Sequence, residues 1–74
     1  MPAGKRSLFE LATAYVNVIE RIERTADAER LRELEEERVI LHNRFADALN
    51  ADGILYKDRE HVTRIAFRIA KQEL

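Results

Sequence analysis

The stretch LNADGILYKDRE, residues 49–60, places an Asn, an Asp and a Gly close together and follows them with an aliphatic residue and more acids. A calcium-binding loop between two helices needs oxygen ligands at loop positions 1, 3, 5, 9 and 12, glycine at 6 and an aliphatic side chain at 8. With Gly53 set at position 6, Asn50, Asp52 and Leu55 fall acceptably at positions 3, 5 and 8. Ala48 and Arg59 then occupy positions 1 and 12, where carboxylates belong, and the Arg repels the ion it should hold. Asp47 and Glu60 each miss by one residue, on the wrong side for a loop of this length. The same residues make a helix end and a turn, with Gly53 free to take positive φ and Asp58 capping the next helix. The expectation is a turn, with no metal.

Two histidines, His42 and His61, are the side chains able to change charge near neutral pH. Neither has a second histidine three or four residues on, and Glu-x-x-His does not occur. Asp58, three residues before His61, reads as a helix cap beside a solvated imidazole. The chain has no cysteine, which removes disulfides, thiolate zinc sites and a thiol nucleophile. It also lacks a glycine-rich phosphate loop and a serine-centred nucleophile motif. No enzymatic activity and no cofactor are expected.

The clearest pattern of chemical groups is basic. Lys57, His61, Arg64, Arg68 and Lys71 recur at spacings of 4, 3, 4 and 3. On a helix they share an arc of about 80°. Such a ridge can bind phosphates through counterion release, or face acidic groups such as Glu33–Glu37 of its own or a neighbouring chain. Glu60 and Glu73 flank the ridge, no aromatic interleaves it, and the net charge of the whole chain is −1. These points weigh against single-strand binding and against tight DNA binding by one chain. A solvated or protein-facing ridge is the first expectation, and nucleic acid the alternative.

The elements that must position these groups are helices. The 74 residues are 46% hydrophobic and 36% charged, with two Gly and one Pro, a composition suited to ordered helix. A chain of this size buries only about 60% of its unfolded surface, so a lone core is marginal and helix packing or oligomerisation must add to it. Ser7 and Glu10 have capping-box spacing and predict a first helix over 7–24, after a flexible basic tail of residues 1–6. Leu8, Leu11, Tyr15, Val18 and Ile22 form one heptad stripe, with Phe9, Ala12, Val16 and Ile19 beside it. Together they cover an arc of about 180°, enough to touch more than one neighbour.

After Ile22 the pattern loses phase, and Thr25 is the expected N-cap of a second helix over 26–50. One continuous helix from Ser7 to Asn50 is the competing arrangement, and it would need a partner chain to cover it. Leu31, Leu34, Leu41, Phe45, Ala48 and Leu49 share a face of the second helix. Arg38 intrudes into that apolar stripe, and Ile40 projects from the opposite side. A third helix is expected over 58–72, with Val62, Ile65, Ala66, Ile69 and Ala70 turned to the core and Phe67 on the margin.

The fold expected is therefore all-α, an antiparallel helical hairpin plus a third helix, dimerising into a larger helical bundle. The function expected is a small protein-interaction module, an adaptor or regulator. Phe9, Val16, Ile19, Arg38 and Ile40 are its candidate protein contacts. Itself, as a homodimer, and a further protein are the expected partners. The basic ridge serves nucleic acid or an acidic partner. No apolar run approaches a membrane span. The final KQEL resembles a retention tail of the endoplasmic reticulum, but no secretory signal precedes it, so a cytoplasmic location is expected.

Overall fold

The computed structural model of the protein describes residues 4–71, which form three helices: α1 (Gly4–Arg24), α2 (Ala28–Ala51) and α3 (Arg59–Lys71). The chain breaks between α1 and α2 into a hairpin and is not one long helix. α1 packs on both other helices, while α3 lies mainly on α1 and touches α2 lightly. Thr63 meets Tyr15 and Lys71 meets Glu20, so α3 runs in the same sense as α1.

The first helix starts earlier than Ser7. Gly4–Arg6, expected in the tail, are helical, so Ser7 stands inside α1 and is not its cap. Lys5 and Arg6 are good helix formers and nothing in the sequence stops extension through them. The rest of that tail, residues 1–3, and the expected last residue of helix 3, Gln72, lie outside the described residues, as does Glu73.

Thr25 ends a helix and does not start one. Its hydroxyl donates to the Arg21 carbonyl at 2.6 Å, and its amide to Ile22 O at 3.3 Å. The cap of α2 is Asp27, in extended backbone (φ −80°, ψ 120°), whose carboxylate accepts from the Arg30 amide at 3.2 Å. A carboxylate at this place satisfies an orphan donor and meets the positive end of the helix.

At the far end of α2 the opening stretch is a turn. The Ile54 amide donates to Leu49 O and the Gly53 amide to Asn50 O, with Gly53 at φ +74°, a Schellman closure. Asp58 then caps α3 as expected, accepting from the His61 amide at 2.9 Å. Asp58→Ala should cost about 1 kcal/mol of stability, the usual loss for such a cap. Urea unfolding would show it, and an unchanged midpoint would mean α3 holds its first turn without Asp58.

Both apolar stripes of α1 are used within the chain. Leu8, Ala12, Tyr15 and Val16 form one core with Phe45, Ala46 and Leu49 of α2 and with Val62 and Ala66 of α3. Val16 is 3% exposed, which corrects its assignment as a contact for another protein, while Ile19 is partly buried and packs against this core. The broad arc of α1 is broad because it has two neighbours in its own chain.

Candidate interaction surfaces

Three places hold the residues that could act on something outside the bundle. The first is the basic ridge of α3. Arg64 and Arg68 are exposed and form no ion pair among the described residues. Lys57, expected on the same helix face, lies in the link before α3, whereas Lys71 and His61 are engaged. Lys71 Nζ pairs with Glu20 Oε2 of α1 at 3.0 Å, remaining largely in solvent. His61, expected in solvent, is partly buried, and its Nδ1 accepts the Lys57 amide at 2.9 Å. That bond places the ring proton of the neutral imidazole on Nε2. Asp58 and His61 thus work as a reciprocal cap, each accepting from a backbone amide at the start of α3.

Around Arg64 and Arg68 the surface dips into a hollow of about 430 Å³, lined also by His61, Ile65 and Phe67. Ile65 and Phe67 are half-buried, each with one side on the core. An aromatic therefore borders the ridge without interleaving it. Phe67 sits about 80° from the ridge centre on the helical wheel, near enough to line the hollow.

The second place is the outer face of α2. Glu29, Glu33, Glu36, Ile40 and Asp47 are all exposed there and lie within an arc of about 60°. Ile40 is 53% exposed at the middle of this acidic face. The apolar moment of α2 is weak beside those of α1 and α3, because Arg38 stands on its inner side and Ile40 on its outer side. Phe9 on α1 and Leu55 in the α2–α3 link are further exposed apolar residues, at 45% and 85%.

The third is a polar recess of about 300 Å³ where α3 stands off from α2, lined by Tyr15, Arg38, His42, Arg59, Glu60 and Thr63. Arg38 is partly buried, and its Nε donates to Glu35 Oε1 at 3.2 Å, so the guanidinium reaches back along its own helix. It is a wall of this recess and not a free contact on the surface. Tyr15 and Thr63 share a hydrogen bond at 2.9 Å, and the Thr63 hydroxyl also donates to Arg59 O at 3.2 Å. The Tyr15 hydroxyl therefore donates into this chain and ties α1 to α3.

His42, read from the sequence as a titratable side chain and not as a core residue, is buried, edge-on to Tyr15 with ring centroids 5.7 Å apart. Its Nε2 has no hydrogen-bond partner among the described residues. Its Nδ1 makes only a long contact with Asn43 Oδ1 at 3.4 Å. The signal was present in the spacing. His42 lies three residues before Phe45, seven before Leu49 and eight after Leu34, all of them core positions.

Among the described residues no group of three or more His, Asp or Glu is gathered as a metal would require, and no helix is long and apolar enough to cross a membrane. Comparison of the chain with models of protein families, with curated proteins and with solved structures gave no match.

Proposed function

We propose that the protein is a small, non-catalytic interaction module of the cytoplasm, an adaptor or regulator that works through helix–helix contacts and associates with itself. The observation that carries this reading is Ile40. The three helices already close a core with Tyr15, Phe45, Leu49 and Val62 almost wholly covered, yet Ile40 is left 53% exposed amid acids. With Val39 beside it 41% exposed, it gives α2 an outward apolar spot within a polar rim, the anatomy of a contact site. Since Val16 is spent inside and Ile19 is partly buried, the surface available to a partner is the outer face of α2, the ridge of α3 and Phe9.

Sedimentation over a wide concentration range tests the reading. The expected result is a mass that rises from one chain toward two. A single-chain mass at every concentration would remove self-association.

A second reading is supported by Arg64 and Arg68, which stand unpaired beside Phe67. Guanidiniums next to an aromatic suit a nucleic-acid strand. Arg64→Glu with Arg68→Glu should then abolish binding to labelled DNA at 50 mM salt. Absence of binding by the natural sequence under those conditions ends this alternative.

A further inference from the structure

We infer that the acidic outer face of α2 docks on the basic ridge of α3 of a second copy, with Ile40 seated in the hollow between Arg64 and Arg68. This rests on the self-association reading and names its surfaces. The two faces match in charge and in shape. One carries Glu29, Glu33, Glu36 and Asp47 in line with the protruding Ile40, whose neighbours one turn away are Glu36, Glu37, Asn43 and Arg44. The other carries Arg64 and Arg68 on an open hollow of about 430 Å³, flanked by Ile65 and Phe67.

Neither face is satisfied among the described residues of its own chain. Arg64 and Arg68 have no acidic partner among the described residues, and Glu33 and Glu36 have no basic one. α2 and α3 already touch lightly along their inner sides, so the outer acids cannot swing round to the ridge of the same molecule. A second copy brings the two together, and every copy offers both. Exposed ion pairs are individually weak, so the seat for Ile40 must contribute much of the contact. The acids supply orientation and a salt-sensitive encounter.

Charge exchange between the faces tests the inference by sedimentation. One variant carries Arg64→Glu and Arg68→Glu, and the other Glu33→Arg and Glu36→Arg. All four positions are exposed, so both variants should keep the helical circular dichroism of the parent. Each alone faces like charge with like and should associate at least tenfold more weakly than the parent. Mixed, the two restore opposite charges at both contacts, and a heavier species should return. Ile40→Ser should weaken association without any change of charge.

If the parent associates and neither charge variant nor Ile40→Ser alters it, this interface is wrong while self-association stands. If both charge variants dissociate but the mixture stays light, the two faces do not meet each other and the inference fails. A parent that is a single chain throughout removes both readings.

Discussion

Phe45→Ala should bring the protein to the edge of unfolding. Phe45 is fully buried at the middle of the bundle, its ring centroid 6.3 Å from that of Tyr15. Truncating such a ring removes its transfer free energy and leaves a cavity, together about 3–5 kcal/mol. A domain of this size has a total stability on the order of 4–11 kcal/mol at the usual contribution per residue. The loss is thus about a quarter of the whole at the least. Urea unfolding followed by circular dichroism at 222 nm would measure it. Phe45→Leu, which keeps most of the volume, should lose far less. If Phe45→Ala lost under about 1 kcal/mol, α2 would not lie over Tyr15 as described.

His42→Leu should act in the opposite direction and raise stability by about 1–2 kcal/mol. A buried nitrogen without a partner costs about 1–3 kcal/mol, and Nε2 of His42 is such an atom. Leu has a similar volume and no polar atom. It gives up the edge contact with Tyr15, worth about 0.5–1.5 kcal/mol beyond buried area, but restores apolar burial in its place. The midpoint of thermal unfolding should rise by roughly 4–8 °C for each kcal/mol in so small a domain. His42→Ala removes the same nitrogen but opens a cavity, and should not stabilise. A fall in midpoint for Leu as large as that for Ala would show that the imidazole has a partner in solution.

The helices were legible because their signals are local. The 3.6-residue spacing of Tyr15, Phe45 and Val62 fixes three core faces, and Asp58 announces the start of α3. The cap of α2 was misplaced by two residues, at Thr25 and not at Asp27. Thr25 and Asp27 both suit an N-cap, and only the structure shows the threonine hydroxyl taken by Arg21 O.

The contacts of α1 were misassigned for a different reason. A wide apolar arc records how many neighbours a helix has, but not whether they belong to the same chain. Val16 is buried among residues of α2 and α3, and Ile19 rests partly on the same core. For the ridge, spacing correctly placed Arg64 and Arg68 together in the open. It could not show that Lys71 reaches across to Glu20 or that His61 turns back to the Lys57 amide, since both depend on neighbours brought near by folding.

The unequal share of the core has a consequence for the order in which the bundle opens. α3 supplies two buried side chains, Val62 and Ala66, against five from α1, and it is joined to α2 by a link in which Leu55 is 85% exposed. It can leave while α1 and α2 remain paired, since the hairpin connection is only three residues long and the contacts around Phe45 and Leu49 persist. Amide protons of α3 should therefore exchange with solvent through a partial opening, ahead of those at the centre of α1, which is covered on two sides and is released only when the whole bundle comes apart.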